Sequence, residues 1–358
     1  MEKYFLIITL IFVLLIPGCF NPSEPPQTVT LFGTVIDSET EEAIENSTVR
    51  FEDEITTTDE NGTFTIENLN PGEYDIVISH LENYQTLNES ITIGDEDLYQ
   101  TFKLEPKEEE KEDEEENNEG ETEYNVEIET RTGPGSDFNL YYPENLEGGP
   151  FPVITWGNGT GASPISYYEL LTNMAGNGFI VVASRSGSTG SGEEMLEGVY
   201  WLIEENENSY SDFYGNIDTN NIGATGHSQG GGGTINAGAD PIIKTTVPIQ
   251  PALFGASPRD LQGPTFIIAG GEDSIIPDWY VRYWVYSPTQ VPAIYGNLTD
   301  ANHFTPTGRA EGMAYYIIEW FKAHLKNNQT SQEIFLENKG IFNDNNWSTR
   351  TQENNNLF

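Results

Sequence analysis

The residues most able to do chemistry in this chain are a serine, a histidine and an aspartate, spaced along one segment. Gly226-His227-Ser228-Gln229-Gly230 fits the pattern G-x-S-x-G. That pattern presents a serine hydroxyl at the tip of a tight turn from strand to helix. The short, partly β-branched run 221–225 precedes it, and Gly231-Gly232-Gly233 follows. Glycines there tolerate the turn's dihedrals and let a helix pass close to neighbouring strands. A serine hydroxyl is a weak nucleophile until a base takes its proton. The chain has four histidines: His80, His227, His303 and His324. His80 lies in a different compositional segment, far upstream. His227 adjoins the serine on a turn where neighbouring side chains diverge, and His324 falls inside a helical pattern. His303, in the loop Ala301-Asn302-His303-Phe304 after a strand pattern, is therefore the expected base.

An acid must hold that imidazole in one tautomer and balance its charge. Asp273 follows the strand pattern ending at Ala269 and is the expected acid, with Glu272, Asp278 and Asp300 as competitors. A tetrahedral intermediate also needs backbone N–H donors. Gln229, the residue after the serine, should give one. Asn158, in the loop Gly157-Asn158-Gly159-Thr160-Gly161, should give the other, with Gly159 as the fallback. Such a set performs acyl transfer through a covalent acyl-enzyme.

The elements that must position these residues alternate from residue 124 onward. Strand patterns run over 126–130, 138–142, 151–156, 179–183, 221–225, 245–249, 265–269 and 291–295. Helical patterns run over 167–177, 193–205 and 311–325. Strand and helix in alternation predict an α/β fold with a doubly wound, mostly parallel sheet. Its site should lie beyond the carboxyl ends of the strands. Trp279, Tyr280, Tyr283 and Trp284 stand at helical spacing and fit either a packed helix face or a pocket lining. The segment 328–358 is polar, but Ile341, Phe342 and Trp347 predict that part of it packs on the domain; the last residues are expected to stay unpacked.

Upstream, residues 28–104 alternate in period two, with turn signals at Asn61-Gly62 and Pro71-Gly72, which predicts a small all-β sandwich. It carries 18 acidic and 2 basic residues. Residues 105–123 hold 12 acidic residues and 2 lysines, a self-repelling run that predicts an extended linker. After the basic Lys3, residues 4–16 give an apolar run too short to span a bilayer comfortably. They lead into Ile16-Pro17-Gly18-Cys19, a lipobox-like end, followed by a proline-rich spacer at 20–27. The expectation is a lipoprotein signal over residues 1–19, lipidation of Cys19, and a chain held on the outer face of the cell membrane. The single cysteine excludes an intramolecular disulfide. A formal net charge of -43 argues against nucleic acid as a partner.

Two resemblances arise from these residues. Residues 33–37, 58–64 and 69–74 resemble the carboxypeptidase regulatory-like domain, an accessory module without catalytic residues. Residues 226–232, 272–277 and 302–306 resemble the cutinase, polyester-hydrolase and dienelactone-hydrolase branch of the α/β-hydrolases. The second likeness covers roughly residues 126–325, and the order Ser228, Asp273, His303 is that of α/β-hydrolases. It implies a serine esterase acting without cofactor on acyl esters, polymeric ones among them. The chain departs from the family at the aromatic that usually follows the oxyanion-loop glycine, here Asn158. It departs again at a tryptophan usual after the strand that follows the nucleophile helix, where residues 250–254 read Gln-Pro-Ala-Leu-Phe, and at the C-terminal disulfide, which cannot form. A peptidase or amidase of the same fold and a non-catalytic surface protein are the alternatives. Oligomeric state is not legible.

Overall fold

The computed structural model describes residues 28–51, 54–80, 84, 87–106, 123–351 and 357–358. The expected signal segment with Cys19, the expected spacer 20–27 and most of the expected linker lie outside them. Among the described residues, no helix is long and apolar enough to cross a membrane. The chain divides into two units, residues 1–109 and 110–358.

The first unit is a β-sandwich. Its strands are β1 (Val29–Asp37), β2 (Thr48–Phe51), β3 (Glu54–Thr57), β4 (Thr63–Leu69), β5 (Gly72–Ser79), β6 (Leu87–Ile93) and β7 (Leu98–Leu104). One sheet runs β4-β1-β7 and the other β3-β2-β5-β6. The strict alternation of β1 sends Leu31 and Val35 inward, where they meet Phe64, Ile66 and Phe102 of their own sheet and Val49, Ile76 and Ile78 of the other. At about 2 kcal/mol for each fully buried apolar side chain, this core offsets the entropy of ordering a short, highly charged chain.

The second unit has a nine-stranded sheet built from β8 (Val126–Thr132), β9 (Phe138–Pro143), β10 (Phe151–Gly157), β11 (Ile180–Ser184), β12 (Ile217–His227), β13 (Thr245–Ile249), β14 (Thr265–Gly270), β15 (Ala293–Leu298) and β16 (Trp347–Thr351). Its order is β16-β15-β14-β13-β12-β10-β11-β9-β8. The six strands from β10 to β15 pair in parallel, and β8, β9 and β16 join antiparallel at the two edges. The helices are α1 (Tyr168–Gly176), α2 (Glu193–Glu207), α3 (Gln229–Ala237), the short α4 (Asp278–Tyr280), α5 (Ala314–Leu325) and α6 (Gln329–Ile334). Alternate residues of the central strands point to opposite faces. Ile154 and Val181 pack with Leu170 of α1 and Phe321 of α5, while Val153 and Val182 pack with Met195 and Val199 of α2. Both faces are covered, so these strands read as continuous apolar runs. This is the doubly wound, mostly parallel sheet expected from the alternation, and it fits the α/β-hydrolase fold that the resemblance implies.

Two features differ from the sequence expectation. The sheet does not end with β15: the polar run Trp347–Thr351 pairs with it as an edge strand, and Trp347 seats against Phe266 and Tyr316. The segment 328–358, expected to pack in part on the domain, thus also supplies a strand of its sheet. At the terminus, Leu357 packs on the core and the Phe358 ring stacks on His324 with centroids 4.9 Å apart.

Candidate active site

Ser228 sits between β12 and α3 with φ 55° and ψ -116°. A side chain at positive φ is unfavourable, and here the surrounding structure enforces it. The Ser228 N–H donates to the Ile249 carbonyl at 3.0 Å, and its carbonyl accepts from Ala252 and Gly232 at 2.9 and 3.1 Å. The helix that follows contains four successive glycines, each about 1 kcal/mol worse than alanine in a helix. Packing is the reason they are there. A Cβ on Gly230 would stand 2.0 Å from the Gly157 carbonyl oxygen, and one on Gly232 2.1 Å from that of Ala252. Close approach to β10 and to the segment after β13 is what the glycines permit, and it holds the elbow rigid.

Asp273 and His303 come from the loops after β14 and β15. His303 Nε2 lies 3.0 Å from Ser228 Oγ, and His303 Nδ1 lies 2.8 Å from Asp273 Oδ2. The other oxygen, Asp273 Oδ1, accepts the backbone N–H groups of Ile275 and Ile276, both at 2.8 Å. A carboxylate accepts only, so the proton between Asp273 and His303 belongs to Nδ1. Nε2 is then left with a lone pair facing the serine hydroxyl. Both residues are buried, Asp273 at 4% and His303 at 7% exposure. The structure thus brings together the three residues chosen from sequence.

The competitors are placed elsewhere. Glu272 and Asp300 are exposed. Asp278 is occupied by Tyr295, Asn297 and Arg282. Among the histidines, His80 stands edge-on to Tyr84 in the β-sandwich, and His324 lies between Trp320 and Phe358.

The donor loop differs from expectation. Gln229 is half-buried, with its amide at the first position of α3 beside the nucleophile. Asn158 has no exposed surface at all. Its amide nitrogen donates to the carbonyls of Ser184 and Ser186 at 2.6 and 3.0 Å, and its side-chain oxygen accepts from the Trp156 indole. A residue so enclosed braces the loop and cannot present its N–H to a substrate. The fallback, Gly159, already donates its N–H to Tyr167 Oη at 3.1 Å.

Gln250 carried no signal in the sequence. It is fully buried with φ 44°, and its Nε2 donates to the Asn302 carbonyl at 2.7 Å, holding the residue just before His303. The aromatic segment 279–284 also resolves. Val281, Val285 and Tyr286 form its packed side. Trp279, Tyr283 and Trp284 face outward at 53%, 62% and 60% exposure, so they are neither a packed face nor a closed pocket. Ile275, Phe254 and Phe304, each within two residues of Asp273, Ala252 or His303, are likewise exposed. Tyr280 Oη accepts the Leu253 N–H, which ties the aromatic segment to the Phe254 loop.

Comparison with known proteins fits this geometry. A PET hydrolase-like family profile matches residues 121–354, and a CarboxypepD_reg-like domain profile matches residues 31–115. A bis(hydroxyethyl) terephthalate hydrolase of Streptomyces coelicolor is 28% identical over 205 residues, 55% of this chain and 64% of that protein. Cutinase est1 of Thermobifida alba is 26% identical over 211 residues, 56% of this chain and 70% of that protein. Cutinase cut1 of Thermobifida fusca is 27% identical over 197 residues, covering 52% and 60%. The chain thus spans just under two thirds of the Streptomyces protein. The family profile covers well over half of the chain, including the strands, the elbow and the loops that carry Asp273 and His303, and on that ground the chain belongs to the PET hydrolase-like family.

Proposed function

We propose that this protein is a serine hydrolase of carboxylic esters, with polyesters among its substrates. The observation that carries the reading is the continuous chain from Ser228 Oγ through His303 to Asp273, at 3.0 and 2.8 Å. Ser228 attacks the ester carbonyl while His303 Nε2 takes its proton. The tetrahedral oxyanion is met by the Gln229 N–H and an amide of the loop after β10. His303 returns the proton to the leaving alcohol, and water, activated by the same nitrogen, releases the acid. Burial of the Asp273–His303 pair strengthens its electrostatics relative to an exposed pair. The test is hydrolysis of a p-nitrophenyl ester series and of bis(hydroxyethyl) terephthalate by the purified protein. Turnover of the short esters is expected. A folded protein that turns over none of them would sink the reading.

The exposed aromatic side chains beside the site favour an uncharged, extended substrate over a small one. Flat rings stack on apolar chains, and contiguous exposed aromatics mark interaction surfaces. The triple substitution Trp279→Ala, Tyr283→Ala, Trp284→Ala should lower product release from a polyester film about tenfold, the equivalent of about 1.4 kcal/mol of adsorption. It should leave kcat/KM on p-nitrophenyl butyrate within about twofold, because these side chains are exposed and make no hydrogen bond to the triad. An equal loss on film and soluble ester would refute a docking role.

We further infer that the enzyme works outside the cytoplasm on a lipid tether at Cys19, a reading supported by the sequence of residues 1–19. Cys19→Ser should move the protein from the membrane fraction of expressing cells into the uncleaved precursor pool. An unchanged distribution and mass would count against lipidation.

A further inference from the structure

Two buried side chains beside the site, Tyr167 and His227, have no part in the mechanism above. Tyr167 ends the 3₁₀ turn Pro164–Tyr167 before α1, and its ring packs on Trp156 with centroids 4.7 Å apart. Its hydroxyl lies 3.1 Å from the Gly159 nitrogen and 2.9 Å from His227 Nδ1. The directions of these bonds follow from chemistry. A backbone N–H only donates, so Tyr167 Oη accepts from Gly159. Among the described residues the hydroxyl has no other acceptor in reach, so its proton goes to His227 Nδ1 as the bare nitrogen. His227 therefore carries its proton on Nε2, which lies against Gln250 and the backbone of His303 without closing a formal hydrogen bond.

This chain of groups stays neutral. Burial, and after it the neighbouring His303, lowers the His227 pKa to about 3. Burial raises that of the Tyr167 phenol to about 12. Neither group changes charge across the range in which a histidine base works, so the link does not titrate with the reaction. The imidazole of His227 also lies on that of His303, with centroids 4.7 Å apart.

Position decides what the link can do. A Cβ on Gly159 would stand 2.9 Å from Tyr167 Oη and 3.7 Å from Ser228 Cβ, so this backbone passes directly beside the nucleophile. The next residue, Thr160, is exposed, and its N–H has no partner among the described residues. We propose that Tyr167 and His227 are positioning residues that pin Gly159 to the nucleophile elbow, so that the Thr160 N–H joins that of Gln229 as the second oxyanion donor. The inference rests on the esterase reading and assigns the donor that Asn158 cannot supply. An oxyanion donor works only if it is fixed before the charge develops. The hydroxyl of Tyr167 is the only group in this link that reaches both the loop and the elbow.

The test uses the full-length protein and the variant Tyr167→Phe, which keeps the ring against Trp156 and removes one oxygen. The expected result is a kcat about tenfold lower with KM within about twofold, a partial loss of the stabilisation one donor supplies. Affinity for phenylboronic acid, whose tetrahedral serine adduct places an oxygen in the same site, should weaken by the same factor. His227→Asn keeps an acceptor near the Nδ1 position and should retain more activity than His227→Leu. Unchanged kcat and boronate affinity in Tyr167→Phe, with only the melting temperature lowered, would make the link merely structural and overturn the proposal. A loss of kcat without a loss of boronate affinity would also overturn it. Hydrogen exchange of the Gly159 amide gives a readout free of activity. It should quicken at least about tenfold in Tyr167→Phe, as the amide of a broken hydrogen bond. If the unaltered protein shows no Ser228-dependent ester turnover, the esterase reading fails. Exchange then decides the link alone, and an unchanged Gly159 rate refutes it.

Discussion

Replacing Ser228 with alanine should abolish ester turnover, with kcat falling on the order of 10⁶-fold, as removing the nucleophile of a serine–histidine–acid unit does. The structure makes this a clean experiment. The only side-chain hydrogen bond of Ser228 among the described residues runs from Oγ to His303 Nε2. Its backbone, by contrast, is held by Ile249, Ala252 and Gly232, none of which depends on the hydroxyl. Alanine keeps the Cβ at the same positive φ, so the elbow is no more strained than before. His303 loses one partner but keeps Asp273. The melting temperature should therefore stay within a few degrees, or rise slightly, since nucleophile positions commonly sacrifice stability for function. Steady-state hydrolysis of p-nitrophenyl butyrate, with thermal melting alongside, checks both statements. Residual turnover above about 1% in the folded variant would show that Ser228 is not the nucleophile.

That this serine could be picked out at all depends on local signals. The elbow is five consecutive residues whose glycines answer to close backbone contacts, and Asp273 and His303 each follow an apolar run that ends at a strand's carboxyl end. Strand position and triad order are carried by the chain itself. What the sequence could not carry are contacts between distant segments. The Asn158 side chain meets carbonyls 26 and 28 residues away, and Tyr167 meets His227 across 60 residues. Nothing in either residue's neighbourhood announces those partners. The edge strand Trp347–Thr351 is illegible for a similar reason. It is polar and gains its place by pairing with β15, with Trp347 as its one large apolar anchor. Helical spacing groups Trp279, Tyr280, Tyr283 and Trp284, but spacing alone does not say which side of a helix faces the core; Val281 and Val285 decide that here, with Tyr280 packed against them and the other three exposed.

Asp273→Asn should lower kcat on the order of 10⁴-fold, the scale expected when the orienting acid of such a triad becomes an amide. The local geometry predicts why, and why the loss should be large. Oδ1 of Asp273 accepts two backbone N–H groups, from Ile275 and Ile276. In the variant the amide oxygen must stay on those two donors, since turning the NH₂ toward them would bury three donors face to face. The NH₂ is thereby directed at His303 Nδ1, and two N–H groups cannot share that contact. His303 has to shift its proton to Nε2, where it points at the Ser228 hydroxyl and can no longer accept. The imidazolium formed on attack would also lack its anion. No other acid can substitute, because Glu272 and Asp300 are exposed and Asp278 is committed to Tyr295, Asn297 and Arg282. Folding should survive, as an amide is easier to bury than a carboxylate. The decisive measurement pairs kcat with the ¹⁵N shifts of the His303 ring, which report which nitrogen is protonated. A variant that kept the proton on Nδ1, or kept more than about a tenth of its activity, would remove Asp273 from the role assigned to it.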